Sequence, residues 1–139
     1  MTPTDPLRLL RSVETIALVG ASAKPERASH QVMEYLQSKG YRVLPVNPGL
    51  AGQKLLGETV YASLAETPGP FDMVDIFRNS DAALGVTEEA VILARDKGIR
   101  AVWMQLGVVN EQAAAMARAA GLEVVMDRCP KIELARADA

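Results

Sequence analysis

The sequence has few of the residues that usually carry chemistry. It holds one cysteine, Cys129, and one histidine, His30, in 139 residues. A single cysteine excludes an internal disulfide, and nothing in the cysteine usage points to an oxidising compartment. No spacing of His, Cys, Asp or Glu resembles a metal site. No apolar run approaches the roughly 20 residues that span a bilayer, so no membrane association is expected. Residues 1–12 lack the basic start and apolar centre of a signal peptide. These absences lead us to expect a cytoplasmic protein. Charge of one sign is missing too: 15 Lys and Arg against 17 Asp and Glu leave a formal net charge of -2. Such a balance gives no general grip on nucleic acid, which needs a strong basic patch, yet it leaves room for a local anion site. With no repeat and no low-complexity segment, residues 1–139 are expected to form one domain, its tail after about Leu134 fraying.

Apolar strands alternate with helices along the chain. Asp5-Pro6 is an N-cap followed by a first-turn proline and predicts a short helix to about Val13. Thr15 to Gly20 is a continuous apolar run of the kind buried on both faces of a parallel sheet. A helix follows from about Ser29 to Lys39, ended by Gly40. The second strand, Tyr41 to Val46, stops at the turn Asn47-Pro48-Gly49. Leu50 to Gly69 reads as a loop with a short helical turn near Ala62. Phe71 to Phe77 is the third strand. A helix from Ser80 or Asp81 to Lys97 is stopped by Gly98, and Ile99 to Met104 is the fourth strand. Asn110 caps a helix over Glu111 to Ala120. Leu122 to Met126 is the fifth strand, and Cys129-Pro130 opens a turn that leads at most into a last helical turn. The pattern predicts an α/β, Rossmann-like, doubly wound parallel sheet of five strands, order 3-2-1-4-5, with helices on both faces.

In such sheets ligands bind at the carboxyl ends of the strands, around the switch point, here expected between strands one and four. Four loops converge there. In the first, Gly20 lets the backbone turn tightly, Ala21 and Ser22 leave amides accessible, and the next helix offers its positive end to an anion. Lys24, Arg27 and Arg78 supply cations, unless they are merely solvated. The loop lacks G-x-G-x-x-G, because Ser22 and Pro25 take the later glycine positions. The second strand ends in Val46-Asn47-Pro48 without the acid that would hold a ribose. A phosphate-containing nucleotide other than a dinucleotide fits best.

Catalytic sets are absent from the sequence. His30 at a helix start has no carboxylate partner in sequence and reads as a helix-start residue. Asp72 and Asp75 flank a buried strand without forming an acid/base pair. Cys129 reads as a buried small residue. Trp103 is either a core aromatic or a wall of the ligand crevice.

Five blocks in order carry a resemblance: Val19-Gly20-Ala21-Ser22 with Pro25-Glu26-Arg27; Tyr41 through Pro48; Val74-Asp75-Ile76-Phe77-Arg78; Val102 through Gly107; and Met126-Asp127-Arg128-Cys129. From about residue 10 to 135 the chain resembles the small stand-alone CoA-binding proteins, relatives of the N-terminal domain of the succinyl-CoA synthetase alpha subunit. The resemblance implies coenzyme A or an acyl-CoA as ligand, its phosphates on Gly20, Ala21 and Ser22 with Arg27 and Lys24. Asn47 and Pro48 would lie beside the adenosine. Phe77, Arg78, Asn79, Gln105, Leu106 and Gly107 would line the path of the nucleotide and the pantetheine arm. The synthetase's phosphorylated histidine belongs to a second domain and its ATP site to a partner subunit, and neither is expected here. Binding without catalysis, with no catalytic residues and no metal, is therefore the expectation. The alternatives are an NAD(P)-binding oxidoreductase and a subunit of an acyl-CoA ligase; a regulatory protein reporting acyl-CoA status to a partner is a third. The Asp127-Arg128-Cys129 block has no role derivable from sequence beyond support of the site or of a partner surface.

Overall fold

In the computed structural model, residues 4–138 are described; residues 1–3 and 139, at the ends of the expected domain, lie outside them. Helix α1 (Pro6–Ser12) starts where the capping signal places it, with the Asp5 carboxylate accepting from the Leu7 and Arg8 amides. Strand β1 (Thr15–Val19), helix α2 (Ala28–Ser38) and strand β2 (Arg42–Val46) follow. The chain then makes a 3-10 turn (Pro48–Leu50) and a small hairpin of β3 (Lys54–Leu55) and β4 (Glu58–Thr59). Strand β5 (Met73–Ile76), helix α3 (Ser80–Lys97), strand β6 (Ala101–Met104), helix α4 (Glu111–Ala119), strand β7 (Glu123–Val125) and helix α5 (Pro130–Ala137) complete it.

The main sheet is parallel, five-stranded and ordered β2-β1-β5-β6-β7. Counting only its own five strands, the order is 2-1-3-4-5 and not the expected 3-2-1-4-5. The physical reason lies in Pro45. A proline has no amide to give a ladder and belongs on a sheet edge. Pro45 pairs with Leu18 of β1, and its carbonyl accepts from Tyr61 on the outer side at 3.0 Å. Its missing N–H lies on that same outer side. In the expected order this strand would have been interior, with a gap in its ladder. The switch point consequently falls between β1 and β5, not between the first and fourth strands.

Alternation along each strand splits the core in two. Ala17, Val19, Val74, Ile76, Val102 and Met104 face α3 and α4, whose Ala83, Ala90, Ala113 and Ala117 allow close approach. Ile16, Leu18, Val43, Met73 and Trp103 face Leu9, Leu10, Met33, Leu36 and Cys129 beneath α1, α2 and α5. Burial of these side chains is the main stabilising term, about 1.5–3 kcal/mol for each large aliphatic one.

Two local expectations are corrected. No helix forms near Ala62, only a single hydrogen-bonded turn from Leu64 to Thr67; the segment also holds the β3–β4 hairpin and a parallel bridge from Val46 to Tyr61. Two-residue strands are too short for alternation to mark them, and the hairpin turns at Leu56-Gly57 without the usual Asn-Gly signal. The C-terminal stretch is more than one helical turn. It is helical to Ala137, and Asp138 pairs with Lys39 at 3.0 Å.

Candidate functional site

The carboxyl edge of the sheet carries three adjoining cavities. The first, about 580 Å³, is lined by the β1–α2 loop with Asn47, Phe77 and Arg78. The second, about 380 Å³, lies over Asn47 and Pro48 and reaches Ser63 and Glu89. The third, about 690 Å³, lies on the other side of Arg78 and is lined by Asn79, Gln105, Leu106 and Cys129 among others. Arg78 borders all three, while Phe77 and Ala28 border the first and third.

Gly20 fixes the geometry of the first cavity. Its φ is +96°, and a Cβ there would overlap the carbonyl oxygen of Phe77. The loops after β1 and β5 therefore touch, as the corrected switch point requires. The amides of Gly20 and Ala21 both donate to the Val46 carbonyl, at 3.0 and 3.3 Å. They hold the loop to β2, so Ala21 does not offer the accessible amide the sequence suggested, whereas Ser22 does. The accessible ones lie further on: among the described residues no hydrogen bond uses the N–H of Ser22, Ala23, Ala28 or Ser29. Helix α2 begins at an arginine, Arg27, which makes no side-chain cap. Arginine carries no acceptor, so the first turn keeps its positive end open toward the cavity. Lys24, Arg27 and Arg78 line it, and among the described residues none of them is in an ion pair.

Several side chains hold the loops and leave little free valence. The Asn47 amide donates to the Ala21 carbonyl at 2.8 Å and accepts from Gly49 N–H at 2.8 Å. His30 Nδ1 lies 2.9 Å from the Ser22 carbonyl, which fixes it as the donor and the ring as a strut for the loop. Asn79 caps α3 through Ala82 N–H at 2.7 Å. Gly107 borders none of the three cavities; its N–H donates to Asp127 Oδ1 at 2.7 Å. The other expected positions, Gly20, Ala21, Ser22, Lys24, Arg27, Asn47, Pro48, Phe77, Arg78, Asn79, Gln105 and Leu106, all line one or more of them.

The block after β7 acquires a structural account. Asp127 sits at φ +57°, tolerable for Asp, and holds the loop after β6 through Gly107. The Arg128 carbonyl accepts from Trp103 Nε1 at 2.7 Å. Trp103 is fully buried and belongs to the core, not to a cavity wall. Cys129 opens α5 and lines the third cavity. Sequence reasoning missed Glu89 and Lys131 as lining residues. Both sit on helices whose distance from the loops only packing decides, and no local signal marks them.

Two carboxylates of the third strand differ sharply. Asp72 Oδ2 accepts from the Glu14 and Thr15 amides, at 2.7 and 3.0 Å, and ties the start of β1 to β5. Asp75 is fully buried between Leu18 and Trp103 on neighbouring strands, and among the described residues neither of its oxygens has a partner. Desolvation pushes its carboxyl well above the ordinary carboxylate range. Among the described residues no group of His, Cys, Asp and Glu is arranged to hold a metal ion, and no helix is long and apolar enough to cross a membrane.

The geometry has relatives. A protein of Bacillus subtilis (strain 168), named only as the uncharacterized protein YneT, is 40% identical over 124 residues, covering 89% of this chain and 87% of that one. A hypothetical protein from Pyrococcus horikoshii OT3 superposes with a TM-score of 0.88 at 37% identity, over 100% of this chain and 94% of that one. The dinucleotide-forming acetyl-coenzyme A synthetase 1 of Ca. Korarchaeum cryptofilum, solved with phosphate and ADP, superposes with a TM-score of 0.71 at 25% identity. There the match spans 88% of this chain but only 27% of the synthetase. Residues 14–135 match the CoA binding domain family, and this chain belongs to that family.

Proposed function

We propose that the protein binds coenzyme A, free or acylated, without reacting it. The phosphates lie in the first cavity, on the unengaged amides of Ser22, Ala23, Ala28 and Ser29 and the side chains of Lys24, Arg27 and Arg78. The adenosine lies by Asn47 and Pro48, and the pantetheine arm passes Phe77 and Arg78 toward Gln105 and Leu106. One observation carries this reading: three cations without carboxylate partners and an open helix N-terminus meet in one cavity. Both features favour a multiply charged anion, and the family is one of CoA-binding domains.

Calorimetry with CoA, acetyl-CoA and NADH tests this. Heat with CoA and with acetyl-CoA and none with NADH is expected. No heat and no thermal shift with millimolar CoA overturns the proposal, and NADH binding without CoA binding replaces it with an oxidoreductase reading.

A second reading has one observation in its favour. Similarity to part of an acetyl-coenzyme A synthetase suits a CoA-binding part of an acyl-CoA ligase. Thioester formation from acetate, ATP and CoA by this chain combined with a captured partner that supplies an ATP site would establish it; the expected result is that no such partner is captured and no product forms.

A further inference from the structure

We infer that Cys129 is a thiol–disulfide exchange site in the third cavity, and that its reacting ligand is a disulfide of coenzyme A. The inference rests on the CoA reading above and extends it to the far end of the ligand. Phe77 and Arg78 border both the first and third cavities. A ligand held by its phosphates in the first thus directs its arm past them into the third. Two features of that cavity have no use in the folded chain. Gln105 is 6% exposed and lines it, yet among the described residues its Oε1 has no hydrogen-bond partner. Leaving such an oxygen unpaired costs about 1–3 kcal/mol, which an amide N–H of a pantetheine arm would recover. Cys129, the only thiol of the chain, lines the same cavity, is 8% exposed, and makes no capping hydrogen bond at the start of α5.

Its neighbours hold it in place. Trp103 bonds the Arg128 carbonyl, and Asp127 bonds the loop carrying Leu106 and Gly107. The first turn of α5, whose Lys131 and Ile132 amides no hydrogen bond uses among the described residues, and the Lys131 side chain on the same cavity favour negative charge developing on the sulfur. In the exchange, Cys129 Sγ gives up its proton and attacks one sulfur of the ligand disulfide. A bond forms between Sγ and that sulfur, and the ligand's own S–S bond breaks. The second CoA leaves as a thiolate and takes up the proton. Cys129 is oxidised to a mixed disulfide and one CoA is reduced, so no further oxidant is needed.

Intact-mass spectrometry of the full chain, mixed with CoA disulfide under non-reducing conditions, is the test. One adduct is expected, with the mass of CoA less two hydrogens, reversed by dithiothreitol and absent from Cys129→Ser. It should form about tenfold faster or more than the adduct from glutathione disulfide, because binding raises the effective concentration. Excess desulfo-CoA, which lacks the thiol, should slow it in the wild-type protein, so the test does not depend on the variant folding. Equal rates with both disulfides, or no protection by desulfo-CoA, would show an ordinary accessible thiol and overturn the inference. Calorimetric binding of CoA with no adduct overturns the exchange and leaves the CoA reading standing; neither heat nor adduct removes both.

Discussion

The two ends of the sheet carry cavities of similar size, about 580 Å³ at the carboxyl edge and about 530 Å³ at the amino edge. Each is bordered by three basic side chains: Lys24, Arg27 and Arg78 at one, Arg11, Lys39 and Arg42 at the other. Count of charge therefore does not separate them. Partners do. At the amino edge Lys39 pairs with Asp138 at 3.0 Å and Arg42 with Glu58 at 3.4 Å. Helix polarity separates them further, because α2 turns its N-terminus to the carboxyl edge and its C-terminus, at Lys39, to the amino edge. A cation at a helix C-terminus answers the partial negative charge already there. At an N-terminus it adds to positive charge and calls for an outside anion. In a parallel α/β fold the chain direction sets this difference for every crossover helix.

The comparison can be broken at its glycines. Gly20 and Gly40 both have positive φ, +96° and +95°, but only Gly20 has no room for a Cβ. Gly40→Ala should cost the backbone term alone, about 1–2 kcal/mol. Gly20→Ala should add about 1–3 kcal/mol for the overlap with Phe77 and should abolish CoA binding by parting the two loops. Urea unfolding with calorimetry of both variants checks this, and equal losses would deny Gly20 its special place.

The next effect concerns the cations. Removing a charged hydrogen bond costs about 1.5–3 kcal/mol, so Arg78→Ala should weaken CoA binding about tenfold to more than a hundredfold. Arg42→Ala, at the opposite end, should leave affinity unchanged. A similar loss in both variants would mean that the protein attracts CoA by general charge alone.

A last effect, spread over several pH units, sharpens the contrast within the sheet. Burial favours the neutral carboxyl of Asp75, so the native chain holds that proton more tightly than the unfolded one. Below the unfolded pKa of about 3.9 both forms are protonated and nothing is lost. As pH rises above it, stability falls by up to about 1.4 kcal/mol per unit, until the native carboxyl also ionises. Asp75→Asn should remove that slope. Urea midpoints of both proteins across roughly pH 4–7 give the measurement, and parallel curves would show that Asp75 is not held neutral.

Much of this was legible in the sequence. The five strands of the main sheet, the α3 helix, the α4 helix with its Asn110 cap, and the four loops came from periodicity and turn residues, which are local. Pro45 carries a clue to an edge strand that the order expected from the usual doubly wound pattern leaves unused. The role of Asp127 was hidden, since its partner Gly107 is 20 residues away in sequence. Of the two amides expected to be accessible, Ser22 is and Ala21 is not, because Val46 on the neighbouring strand takes the Ala21 N–H.

The sequence by itself determined the α/β alternation and the residues that end each strand, because a chain segment chooses strand, helix or turn largely from its own pattern. It also determined that a dinucleotide fingerprint is lacking. Only the tertiary structure decided the strand order, the contact of Gly20 with Phe77, and which cations stay without carboxylates. Those depend on which distant segments become neighbours, and a parallel sheet settles that by packing both of its faces at once.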